Sequence, residues 1–114
     1  MNMNILIIED EKHNADRLMR LLSSYEDNIT IYGPLTSVVE VRDFFNSKRS
    51  IDLILSDIRL TDGLSFDALE DVTENIPVIF TTAYDEYALK AFNYNGIAYL
   101  LKPIEKDELA GAID

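Results

Sequence analysis

A doubly wound α/β domain, with a five-stranded parallel sheet covered by helices on both faces, is the fold class this sequence predicts. Two observations carry it. Short apolar runs alternate along the chain with segments of helical periodicity, the pattern of parallel strands joined by crossover helices. Four of those runs also lead into a polar side chain: Asp10 beyond residues 5–8, Asp57 beyond 53–56, Thr82 beyond 78–81 and Lys102 beyond 99–101. In parallel strands these four would meet at the carboxyl edge of one sheet, where open α/β folds place their ligands. Two carboxylates, a hydroxyl and an ammonium gathered there suit phosphoryl chemistry. The carboxylates can hold a hard divalent cation, and cation, ammonium and hydroxyl together neutralise phosphoryl oxygens.

Each element follows from local pattern. Residues 4–8 form the first strand, and the helix after it carries Ala15, Leu18, Met19 and Leu22 on one stripe, at the spacing of a face packed on a sheet. The second strand covers 29–32 and ends at the turn pair Gly33-Pro34. Ser37 with Glu40 three residues on predicts a capping box for a helix to about Asn46 that buries Val38, Val41 and Phe45. Strand three, 51–56, is nearly all apolar, as a central strand covered on both faces should be. A loop to Gly63 leads to a short helix over 65–72 with Phe66 and Leu69 inward. Pro77 introduces strand four, 78–81. The fourth helix spans 85–95 with Tyr87, Ala88, Ala91 and Phe92 on one face, and Asn95-Gly96 stops it. Strand five is 97–101, Pro103 breaks the chain, and a fifth helix over 106–113 is expected to be cut short.

Composition narrows the function. The 114 residues make one domain, 1–114, and 47% hydrophobic content is enough for a real core. A formal charge of −11 argues against nucleic-acid binding by this segment, since Lys48-Arg49 is the only compact basic pair. The absence of cysteine removes disulfides, thiolate metal sites and cysteine nucleophiles. With no signal-peptide pattern and no apolar stretch of bilayer length, the protein is expected to be soluble and cytoplasmic, without a membrane partner.

Together, Glu9-Asp10 after strand one, Asp57 after strand three, Thr82-Ala83 after strand four and Tyr99-Leu-Leu-Lys102-Pro103 at strand five resemble the receiver domain of bacterial two-component response regulators. The resemblance covers essentially the whole chain. It implies a flavodoxin-like strand order 2-1-3-4-5 and a phosphoacceptor at Asp57, loaded by a sensor histidine kinase. It further implies Mg²⁺ held by Glu9, Asp10, Asp57 and the backbone carbonyl of Arg59. Thr82 is the hydroxyl that follows the phosphoryl group, Lys102 its counter-ion, Tyr99 the aromatic that changes rotamer with Thr82, and Lys102-Pro103 a cis peptide. A homodimer on phosphorylation, through the face of helix four, strand five and helix five, is also implied. The segments Thr82-Ala-Tyr-Asp-Glu-Tyr-Ala-Leu-Lys-Ala-Phe-Asn-Tyr-Asn and Ala98-Tyr-Leu-Leu-Lys-Pro are similar to receivers whose output is a LytTR-type DNA-binding domain, which would lie outside this chain. Most members carry two aspartates in the acidic pair, whereas here Glu9 is one methylene longer and is expected to reach the metal through water.

Taken singly, each residue has a plainer use. Asp10 would be a helix cap, Asp57 a turn starter, Thr82 a loop hydroxyl and Lys102 a solvated cation. Such uses would have to coincide four times on one edge. His13 reads as a surface residue early in helix one. Clustered Glu9, Asp10 and Asp57 should repel one another and raise at least one carboxyl pKa. An aspartyl-phosphate phosphohydrolase is disfavoured, because the acid/base aspartate such enzymes place two residues beyond the nucleophile is here Arg59. The chain is therefore expected to be no enzyme beyond its own phosphorylation and slow dephosphorylation. A stand-alone phosphorelay receiver is the alternative. A degenerate receiver acting as a constitutive dimerisation module would lack an acidic-pair, acceptor or lysine position, and all are present.

Overall fold

A computed structural model of the chain describes residues 3–25, 28–47, 50–69, 76–82 and 96–102, together with Ile104, Asp107, Leu109 and Gly111. In chain order the elements are β1 (Met3–Ile8), α1 (Lys12–Tyr25), β2 (Ile29–Leu35), α2 (Val38–Asn46), β3 (Leu53–Asp57), β4 (Arg59–Leu60), β5 (Gly63–Leu64), α3 (Ser65–Leu69), β6 (Val78–Thr82) and β7 (Gly96–Leu101). The expected fourth helix, 70–72 of the third helix and the Lys102-Pro103 peptide lie outside the described residues. Asp107, Leu109 and Gly111 are helical, in keeping with a fifth helix.

The main sheet is parallel, in the order β2-β1-β3-β6-β7. This is the expected 2-1-3-4-5 arrangement, with the short β4–β5 hairpin taking two numbers outside the main sheet. Both faces are buried, and β1 divides its side chains between them. Ile5 and Ile7 join Leu18 and Leu22 of α1, Leu53, Leu55 and Ile79, with Ile104 and Leu109 completing that core. Leu6 and Ile8 face the other way, toward Val38, Val41, Phe66, Leu69 and Phe80. There Phe66 and Phe80 pack as a tilted ring pair 5.2 Å apart, and Phe45 is only partly buried at the rim. Alternation between two apolar faces, as along residues 5–8, is what a central parallel strand requires.

One expectation is overturned. Gly33-Pro34 does not end β2, which runs on to Leu35. Pairing with β1 jumps from Leu6↔Tyr32 to Ile8↔Leu35, so the two residues sit in a bulge on the edge strand, where a proline without an N–H is tolerated. Gly33 has φ +99°, and a Cβ there would lie 2.5 Å from the Ile7 carbonyl oxygen. Only glycine allows the two backbones to approach so closely. The Gly33–Pro34 peptide is cis. The loop expected from Asp57 to Gly63 also holds structure, since β4 and β5 pair antiparallel within it, Arg59 opposite Leu64.

Among the described residues no helix is long and apolar enough to cross a membrane.

Candidate functional site

The carboxyl ends of β1, β3, β6 and β7 bring Glu9, Asp10, Asp57, Thr82 and Lys102 to one edge. Asp57 is the last residue of β3, so its side chain emerges at the end of the central strand. It is 7% exposed. Its Oδ1 accepts from the Ile58 N–H at 2.7 Å, and Lys102 Nζ donates to its Oδ2 at 2.9 Å. The same ammonium lies 2.7 Å from Glu9 Oε1. Lys102 thus bridges two carboxylates from two strands.

Glu9 and Asp10 are neighbours in sequence but not in environment: Glu9 is 1% exposed and Asp10 is exposed. The Glu9 N–H donates to the Leu35 carbonyl at 2.8 Å just past the β2 bulge, and its Oε2 accepts from Glu11 N–H at 3.2 Å. Burial pushes the Glu9 carboxyl up; the Lys102 ammonium pulls it down and the Asp57 charge raises it again, leaving it at about 7. A raised carboxyl is expected from repulsion within the cluster; the rise is found, but burial contributes more to it than the Asp57 charge. For Lys102, burial works against the charged form, but Glu9 and Asp57 outweigh it and its pKa stands above the ordinary lysine value.

One carboxylate oxygen from each of Glu9, Asp10 and Asp57 falls within 4.8 Å of the others. The donors are all hard oxygens and repel one another when ionised. Such a set fits Mg²⁺, which binds through a few carboxylates and keeps several waters.

Thr82 ends β6 and is buried. It pairs with Leu101 of β7, and its carbonyl accepts from the Lys102 N–H at 2.8 Å, tying hydroxyl and ammonium positions through one backbone bond. Arg59 lies on β4 two residues past Asp57, its side chain exposed. Tyr99 is a residue of β7. His13 is exposed on α1.

Two contributors escaped the sequence reading. Asp62, in the turn of the β4–β5 hairpin, accepts from the Val38 N–H at 2.6 Å and the Val39 N–H at 3.3 Å. It caps α2 from the loop that follows Asp57, and the Thr61-Asp62-Gly63 turn was its only sequence signal. Arg17 of α1 donates twice to the Ile104 carbonyl, two residues beyond Lys102. Nothing local in the sequence marks a contact across that separation.

Comparison with known proteins shows the family and the fold. The family described as response regulator receiver domain matches residues 5–114. The sensory transduction protein LytT of Enterococcus faecalis is 36% identical over 115 residues, covering 98% of this chain and 47% of that protein. The positive alginate biosynthesis regulatory protein of Pseudomonas aeruginosa is 36% identical over 114 residues, 97% of this chain and 46% of that protein. The chain therefore spans about half the length of the curated relatives it matches. Among solved structures, the response regulatory domain of protein mrkE from Klebsiella pneumoniae superposes with a TM-score of 0.81 at 25% identity, covering 97% of this chain and 92% of that one.

Proposed function

The chain belongs to the response regulator receiver domain family, and on that premise we propose that Asp57 accepts a phosphoryl group from a sensor histidine kinase and thereby switches an output. The observation that carries this reading is the Lys102 ammonium bridging Glu9 and Asp57 at the end of the central strand. A carboxylate attacks phosphorus poorly while negative oxygens surround both, so a nearby fixed cation is the first requirement of the chemistry. In the transfer, an Asp57 oxygen forms the new O–P bond as the P–N bond to the donor imidazole breaks and the imidazole leaves with the electron pair. Lys102 offsets charge on the incoming group, and the Thr82 hydroxyl donates to a phosphoryl oxygen.

Glu9, Asp10, Asp57 and the Arg59 carbonyl are the groups that would hold Mg²⁺, whose charge when bound offsets that of the phosphoryl oxygens. The resulting acyl phosphate is an activated anhydride and therefore reversible, which suits a switch. Thr82 and Tyr99 are its moving parts in this proposal, and a symmetric dimer through the β7 face is its first consequence.

In this proposal residues 1–114 act as one receiver domain, and the output it switches is a LytTR-type DNA-binding domain that regulates transcription. Support for the output comes from the LytT likeness over about half of that relative's length. The acceptor is tested by incubating wild type and Asp57→Asn with acetyl phosphate and Mg²⁺. Intact mass should rise by one phosphoryl group in the wild type alone, and labelling of Asp57→Asn at the wild-type level would refute the assignment.

A further inference from the structure

We infer that Arg17 is a positioning residue for this site: by gripping the Ile104 carbonyl, its guanidinium holds Lys102 in place between Glu9 and Asp57. The inference rests on the reading of Asp57 as acceptor. Arg17 is half-buried on α1, and its Nε and Nη2 donate to the Ile104 oxygen at 2.9 and 2.7 Å across a separation of 87 residues. Ile104 is 4% exposed, its side chain in the core with Leu18 and Leu22 of the same helix. A carbonyl at such a place needs a donor, and a guanidinium supplies charge-assisted bonds that are stronger than neutral ones.

The position of this contact gives it a role beyond stability. The β7 ladder stops at Leu101, and the residue between Lys102 and Ile104 is a proline, which has no N–H to offer. On one side of the ammonium's root the Lys102 N–H donates to the Thr82 carbonyl; on the other, Arg17 holds Ile104. A lysine side chain is a flexible four-carbon stem, so the point its Nζ reaches depends on where that root is fixed. With contacts of 2.7 and 2.9 Å to two carboxylates, a shift of the root breaks at least one of them.

The test uses wild type, Arg17→Ala and Arg17→Lys, each with and without Lys102→Ala. Phosphorylation by acetyl phosphate is timed, and acylation of Lys102 by an amine-directed reagent is followed without Mg²⁺. Arg17→Ala should slow phosphorylation about tenfold, as expected when a positioned group is displaced by part of an ångström, and should speed acylation of Lys102 several-fold. Arg17→Lys, which keeps the charge but loses the two-pronged donor, should fall between. In the Lys102→Ala background, Arg17→Ala should alter phosphorylation by less than about twofold, since residues acting through one another are not additive. Wild-type phosphorylation and acylation in an Arg17→Ala protein that is merely less stable would overturn the inference. So would an equal slowing in both backgrounds. If Asp57→Asn is labelled normally, the acceptor reading fails, while the acylation measurement still decides whether Arg17 holds Lys102.

Discussion

Glu9 and Asp62 are carboxylates whose ionisation the fold shifts in opposite directions. For Asp62, the N–H groups of Val38 and Val39 favour the charged form and hold its pKa below the ordinary value. For Glu9, burial favours the neutral form and lifts it from 4.5 to about 7. The unfolded Glu9 gives up its proton near 4.5 while the folded one keeps it, so its contribution to stability is complete below that pH and disappears as the pH rises to about 7. Without Mg²⁺, the unfolding free energy from denaturant melts should therefore fall between about pH 5 and pH 8, by at most on the order of 3 kcal/mol. Glu9→Gln should flatten this decline, and an unchanged slope in that variant would place the responsible proton elsewhere. Bound Mg²⁺ should reverse the trend, because it requires the ionised carboxylate.

At the scale of elements, helix α2 is capped twice at its N-terminus, once by Ser37 and once from the loop that follows Asp57. Ser37 Oγ accepts from the Glu40 N–H at 3.1 Å, while Asp62 takes the Val38 and Val39 donors. Ser37→Ala should cost about 1 kcal/mol, with little dependence on pH. Asp62→Ala should destabilise at pH 7 and less at an acid pH below the lowered pKa of Asp62, where protonation weakens its bonds in the wild type. Urea melts at the two values compare them directly, and a pH-independent Asp62→Ala effect would show that its charge plays no part.

The Ser37 cap was legible in the sequence, because its signal is local, although only half of the expected box forms: Glu40 accepts from the Thr36 N–H and hydroxyl rather than from the Ser37 N–H. The Asp62 cap was not, because it joins segments 24 residues apart. The same distinction runs through the fold. Short apolar runs revealed the five main strands, whereas two-residue β4 and β5 are too short to show a period, and the bulge at Gly33-Pro34 carries the residues of a turn. In the site, residue types and strand ends disclosed Glu9, Asp10, Asp57, Thr82 and Lys102 as candidates. That Glu9 is buried and Asp10 exposed depends on which way each points when the strand ends.

For the molecule as a whole, a single strand, β6, separates Asp57 on β3 from the edge strand β7. Asp57 ends β3, Thr81 pairs with Asp57, and Thr82 pairs with Leu101 of the edge strand β7. A movement of Thr82 toward a phosphoryl group would be felt first at β7, so a phosphorylation-dependent dimer should form through that edge and the helices beside it. In sedimentation velocity, acetyl-phosphate-treated wild type with Mg²⁺ should shift toward a dimer and Asp57→Asn should not; a phosphorylated wild type that stays monomeric at high concentration would remove this output. The four β1 residues Ile5, Leu6, Ile7 and Ile8 carry a different lesson. All are fully buried and they alternate between two apolar cores, so among these four residues a slide by one position would only exchange one apolar face for another. Greasiness alone cannot tell this strand where to stop. Glu9 and Asp10 can, since a slip would drag the exposed Asp10 toward the interior. The acids that would serve the chemistry also act as punctuation for the chain, and exchanging them for apolar residues would blur the alignment of the sheet as well as silence its site.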